Sequence, residues 1–123
     1  MSYDIDLTCP CCKRPLTMPG SFVDGGTYCI GGTNDCHLNV TYNYSKFYAR
    51  LFPATDEYPN GSIRWLYGRR GAETVEVLEA AVEKLGTERD DDYWEATAGN
   101  AGAALARLLS FAEQNPDGVW EGD

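Results

Sequence analysis

All five cysteines of this 123-residue chain fall between positions 9 and 36, and that crowding limits the fold more than any other feature. They run Cys9-Pro10-Cys11-Cys12, then Cys29, then Cys36-His37. A C-P-x-C turn points two thiolates to one side of a tight loop, the bite that tetrahedral zinc requires. Lys13 and Arg14 follow, and their charge favours the thiolate form, while Pro15 ends the turn. Sixteen residues separate Cys12 from Cys29, within the usual interval between two zinc knuckles. The second pair is less regular, because six residues lie between Cys29 and Cys36. Gly31 and Gly32 can turn the chain back within that length. The first knuckle resembles that of a zinc ribbon; the second departs from the pattern. The expectation is one structural zinc per chain, held by Cys9, Cys12, Cys29 and Cys36, with His37 the substitute fourth ligand and Cys11 a bystander. Four protein ligands leave no open position, so such a site is structural rather than catalytic. Three other readings stand beside it. Disulfides fit poorly with an odd cysteine count and a start, Met1 to Asp6, that lacks the basic and apolar regions of a secretory signal. A redox C-x-x-C should open a helix, whereas Pro15 and Pro19 surround this one with loop. Buried, unliganded thiols are the third.

Hydrophobic residues at 43% and charged residues at 24% suit one globular domain, residues 1–123, with a knuckle subregion over 1–37 and a body over 38–123. No run approaches the roughly 18 apolar residues of a membrane helix, and the expected location is the cytoplasm. The charge is uneven. Residues 1–70 carry seven Lys/Arg against six Asp/Glu, and residues 71–123 carry three against thirteen. The acidic half repels a phosphate backbone, which lowers the case for nucleic acid on that side.

Tyr3 to Thr8 alternates weakly as a first strand. Leu38 to Tyr44 is a clearer one, with Leu38, Val40, Tyr42 and Tyr44 on one face and Asn39, Thr41 and Asn43 on the other. Ser45 to Phe52 predicts a short helix ended by Pro53, and Ile63 to Tyr67 reads as a strand after the Asn60-Gly61 turn. Helices are predicted over 72–85, with Val75, Leu78, Val82 and Leu85 inward, and over 100–115, with Leu105, Leu108, Leu109 and Ala112 inward. Strands before helices predict an α+β fold, a small antiparallel sheet with two helices on one face. The run Ala98-Gly99-Asn100-Ala101-Gly102 has almost no side-chain bulk. Something must pack there: another backbone, an aromatic ring such as Trp94, or a ligand.

From Leu38 onward the chain resembles a family of small proteins encoded by phages and prophage-like regions. The likeness rests on Asn39-Val-Thr-Tyr-Asn-Tyr-Ser45, Ile63-Arg-Trp-Leu-Tyr-Gly68, Gly71-Ala-Glu-Thr-Val75, Asp92-Tyr-Trp-Glu-Ala-Thr-Ala-Gly-Asn-Ala101 and Pro116-Asp-Gly-Val-Trp-Glu-Gly-Asp123. The resemblance implies no particular activity. The chain has a single histidine and no G-x-x-x-x-G-K pattern, so a non-catalytic interaction protein is the leading expectation. Its partner is a host protein, reached through the acidic helix face, Trp94 and Trp120, or a small nucleotide-like anion. For the anion the candidates are Arg64, Arg69, Asn100, Asn39, Asn43 and Trp65, which offer charge, polar groups and a stacking ring. A homo-oligomer also stays open. The alternatives are a zinc-ribbon adaptor for nucleic acid, for which Lys13, Arg14 and Lys46 make a thin stripe, and an enzyme.

Overall fold

In the structure, a computed structural model, residues 1–23 and 32–123 are described; Cys29 lies outside them. Strand β1 spans Ser2–Thr8, β2 Thr17–Phe22, β3 Thr33–Asp35 and β4 His37–Thr41. One helical turn, α1, covers Ser45–Tyr48; α2 covers Gly71–Leu85, α3 Ala98–Gln114, and β5 Val119–Gly122 closes the order. The fold is α+β with two small antiparallel sheets, β4-β1-β5 and β2-β3.

The alternation of Tyr3, Ile5 and Leu7 against Asp4 and Asp6 turns one side of β1 inward, and all three apolar side chains are buried. Leu38 and Val40 of β4 and Trp120 of β5 join that inner face. Against it lie Leu78 and Ala81 of α2, and Ala101, Leu105, Leu108, Phe111 and Ala112 of α3. The stripe of α2 is rotated from the expected one. Thr74 and Leu78 are buried while Val75, Val82 and Leu85 are half-buried. The reason is Trp120, whose indole N–H donates to the Thr74 hydroxyl at 2.9 Å inside the core. Trp120 is therefore a core residue and not a docking side chain.

Two expected strands end differently. Residues 38–44 are strand only to Thr41, whose hydroxyl accepts the Asn43 N–H and starts a 3-10 turn over Tyr42–Tyr44. Tyr44 stays buried but Tyr42 is half-exposed. Ile63–Leu66 is also a 3-10 turn, because Ser62 accepts the Arg64 N–H. In a 3-10 turn residues i and i+3 lie on one side, which is how Ile63 and Leu66 are both buried. The third strand of the main sheet is instead β5, next to β1. Its outer edge is covered by the chain before α2, with Gly68 N–H donating to the Trp120 carbonyl at 2.8 Å and Trp120 N–H to that of Arg69 at 2.9 Å.

The bulk-free start of α3 meets backbone. A Cβ on Gly99 would lie 1.9 Å from the Glu88 carbonyl oxygen, and one on Gly102 would lie 1.7 Å from that of Gly86. The connector from α2 thus lies directly on the small face of α3.

Candidate functional site

The cysteine turn is the tip of a hairpin. Leu16 N–H donates to the Leu7 carbonyl and Cys9 N–H to that of Arg14, each at 2.9 Å, and Cys9 to Cys12 form the turn between them. Lys13 closes it, donating to the Cys9 carbonyl at 2.9 Å from a left-handed backbone, φ 65°. This geometry aims the N–H groups of Cys12 and Cys11 at the Cys9 sulfur, and they pull its thiol below the ordinary value. Cys11 and Cys12 are exposed. Cys9 and Cys12 thus share one turn, two of the four expected ligands.

Cys36 lies one backbone rung below the knuckle. Its carbonyl accepts from Leu7 and its N–H donates to Leu16, the pair that forms the hairpin stem. Its side chain is in the inward row and fully buried, with the Asn115 amide 3.5 Å from its sulfur. Burial pushes the thiol up to about 11. Among the described residues, no three His, Cys, Asp or Glu side chains are grouped to hold a metal ion.

His37 falls on the opposite, outer face of the sheet. It pairs across the strands with Asp6, Nδ1 to Oδ1 at 2.7 Å, so its ring is engaged away from the cysteine row. That hydrogen bond, aided by the charges of Asp6, Asp4 and Asp35 against a desolvation penalty, raises the histidine above its ordinary value. The raised folded-state value gives the linkage its sign: the pair stabilises fully below the unfolded value of about 6.5 and loses that contribution as pH rises through the folded value. We expect Asp6→Asn to lower stability at pH 5 more than at pH 9. Chemical denaturation at the two pH values checks it, and an equal loss at both would show that the charge of the pair contributes nothing.

The six candidate anion ligands fall into two sets of contacts. Arg64 donates from Nε to the Asp123 carbonyl and from Nη2 to the Tyr42 hydroxyl, both at 3.0 Å, and stacks on Tyr3 and Tyr42. Arg69 lies 4.2 Å over the Trp65 ring and donates to the Trp65 carbonyl. In the other set, Asn39 donates to Ser2 at 2.7 Å and Asp4 at 2.6 Å, and Asn43 to the Trp94 carbonyl at 2.9 Å. Asn100 is almost fully buried. Its carbonyl oxygen accepts from Asp90 N–H at 2.8 Å, and its amide donates to the carbonyls of Asp92 and Glu95, both at 3.0 Å. Thr97 caps the helix, accepting the Asn100 N–H at 3.1 Å. Asn39 and Asn100 do meet around one pocket with Tyr44, Arg89 and Tyr93, but its space of about 30 Å³ suits a water rather than a nucleotide.

The sequence reading named Trp94 but not what holds it. Asp92 accepts the Trp94 N–H at 3.0 Å, Asn43 binds the Trp94 carbonyl, and Asn100 ties down the chain on both sides. The Tyr93 hydroxyl accepts from Thr41 N–H at 3.3 Å and donates to the Asn39 carbonyl at 3.1 Å, pinning the connector to the free edge of β4. Trp94 is nonetheless 46% exposed. The signal for this was a tryptophan two residues after an Asp run, with an asparagine eight residues beyond Asp92.

No protein-family model matches the chain, and no curated protein and no solved structure matches it either. What fold and site define is a class: a small α+β protein with a cysteine-tipped hairpin at one place and a clamped, acidic, tryptophan-bearing connector at another. No described helix is long and apolar enough to cross a membrane.

Proposed function

We propose that this chain is a non-catalytic, phage-type interaction protein that docks on a host protein in the cytoplasm through residues 88–95, with its N-terminal turns held by a structural zinc. The exposed Trp94 on a clamped connector carries the first part. An indole left 46% exposed costs solvation, and a connector with this many hydrogen bonds pays little entropy when a partner covers it. Tryptophan is among the residues that most often anchor protein interfaces. Asp90, Asp91, Asp92 and Glu95 surround it and favour a partner with an apolar slot and a basic rim. The chain has a single histidine and no G-x-x-x-x-G-K pattern, which supports the non-catalytic reading. The zinc reading draws on the N–H groups aimed at Cys9 and on the backbone rung that sets Cys36 beside the hairpin stem.

The test is affinity capture from host lysate, followed by titration of the retained partner. Trp94→Ala should weaken that partner by about 30-fold or more while leaving the melting temperature nearly unchanged. Equal binding by the variant would remove this surface from the interface. Binding to duplex DNA that survives Trp94→Ala and falls steeply with salt would favour the nucleic-acid adaptor instead.

A further inference from the structure

The acidic connector that carries Trp94 lies against the longest stretch of the chain without a carboxylate. Residues 36–55 hold Lys46 and Arg50 and no Asp or Glu, whereas residues 88–95 hold five carboxylates and one arginine. We infer that these two surfaces meet between copies of this chain in a two-fold dimer, the connector of each copy lying on the Lys46 and Arg50 segment of the other. The contact rests on the reading of Trp94 as a docking anchor, and it places a second copy there while no host partner is bound.

Printed contacts place the two surfaces side by side. The Asn43 amide donates to the Trp94 carbonyl at 2.9 Å and the Tyr44 hydroxyl to that of Tyr93, so the connector rests on the helical stretch from Tyr42 through α1. Lys46 follows Asn43 by three residues in that stretch, the spacing that puts two side chains on one side, and both are exposed. Lys46 thus stands on the side from which Asn43 reaches Trp94.

The chemistry of the two surfaces is complementary. The Lys46 ammonium lies 5.3 Å over the Phe47 ring, and Phe47 and Leu51 are only half-buried. The segment therefore offers apolar surface beside two exposed cations, and the connector offers an exposed indole among carboxylates. These charges are not spent within one copy. Among the described residues the ion pairs are Lys13–Glu121, His37–Asp6 and Arg70–Asp117, and none involves Lys46, Arg50, Asp91 or Glu95.

Two complementary patches that adjoin on one surface satisfy each other twice across a two-fold axis. The connector of one copy meets the α1 segment of its partner, and the reverse contact forms at the same time. Trp94 sits at the boundary of the patches, so the two indoles fall near the axis, where water is excluded best. Two copies of net charge −9 repel at long range. At about 0.15 M salt a screening length of about 8 Å confines that repulsion, while pairs in contact persist.

Sedimentation velocity on the purified full chain at about 0.15 M salt tests the inference. The parent should pass from monomer to dimer with a Kd between about 1 and 100 µM, as suits a small, charged interface. Trp94→Ala and Lys46→Glu should each weaken the dimer about tenfold or more. Because each change also touches its own copy, the deciding sample is a mixture of Lys46→Glu with a chain carrying Asp91→Lys and Glu95→Lys. Each variant alone should be monomeric and the mixture dimeric, since in the mixed pair one contact is parental and the other has both charges reversed. A parent that stays monomeric at about 100 µM, assembly beyond two copies, or a mixture that stays monomeric would overturn the dimer. Host capture is read separately: its loss with a dimeric parent would strike the docking proposal alone.

Discussion

Replacing Gly102 with alanine is expected to destabilise the fold by about 2 kcal/mol or more, although alanine is the better helix former. In a free helix the change would gain about 1 kcal/mol. Here the new methyl carbon would lie 1.7 Å from the Gly86 carbonyl oxygen and 3.0 Å from the Leu85 side chain. Backbone on both sides must move, and overpacking of this kind costs about 1–3 kcal/mol even where side chains alone give way. Thermal unfolding should show a fall in Tm of about 4 °C for each kcal/mol lost. Gly20→Ala is the control, because nothing lies within 4 Å of a Cβ there. A Gly102→Ala protein as stable as the parent would mean that the connector can lift off α3 freely. That result would also weaken the docking proposal, which needs residues 88–95 to be held. Asn100→Ala probes the same contact from the other side. It removes the side-chain partner of Asp90 N–H and one of the two donors to each of the carbonyls of Asp92 and Glu95, so it should lower stability and loosen Trp94 as well.

The residues that proved legible in the sequence are those where one local signal acts alone. Tyr3, Ile5, Leu7, Leu38 and Val40 declared an inward strand face by alternation. Leu78, Leu105 and Leu108 declared helix faces by periodicity, and Gly99 and Gly102 declared a close approach by lack of bulk. Illegible were the places where two signals overlap. Ile63-Arg-Trp-Leu-Tyr67 is short and apolar, which fits a strand or a helical turn, and the cap at Ser62 settles the turn. Val119–Gly122 is four residues behind a Pro-Asp-Gly exit, and only its pairing with β1 across the whole chain makes it a strand. Asn100 looked like a helix cap or a ligand group because its position fits both, whereas its amide is spent on three backbone groups of the connector. The arginines are the same case: Arg64 and Arg69 were chosen for their charge, whereas aromatic rings, Tyr3 and Tyr42 for Arg64 and Trp65 for Arg69, are what engage them.

Protein purified under reducing conditions is expected to carry one zinc per chain, and removing that zinc is expected to have the other large effect. A metal that binds only the folded chain stabilises it by about 4 kcal/mol when it is a thousandfold above its Kd. Chelation should lower Tm accordingly, and Cys12→Ser should do the same while abolishing the metal. Cys11→Ser should keep it, since the Cys11 backbone serves Cys9 more than its exposed thiol does. Cys36 decides the ligand set. Its thiol, held near 11 by burial, must lose a proton to bind, and only a directly bound cation repays that cost in an apolar row. Metal affinity should therefore fall on acidification, with Cys36 and not Cys9 the costly site. Cys36→Val keeps roughly the volume and the apolar character of the buried position. If Cys36 is a ligand, the variant folds but loses zinc in elemental analysis. If it is a core thiol, the variant keeps both, and the metal must be held by Cys9, Cys12 and groups outside the described residues. Absence of any metal in the parent protein would refute the zinc proposal outright. The knuckle would then be a hairpin turn in which the N–H groups of Cys12 and Cys11 hold the Cys9 thiol below its ordinary value without a metal.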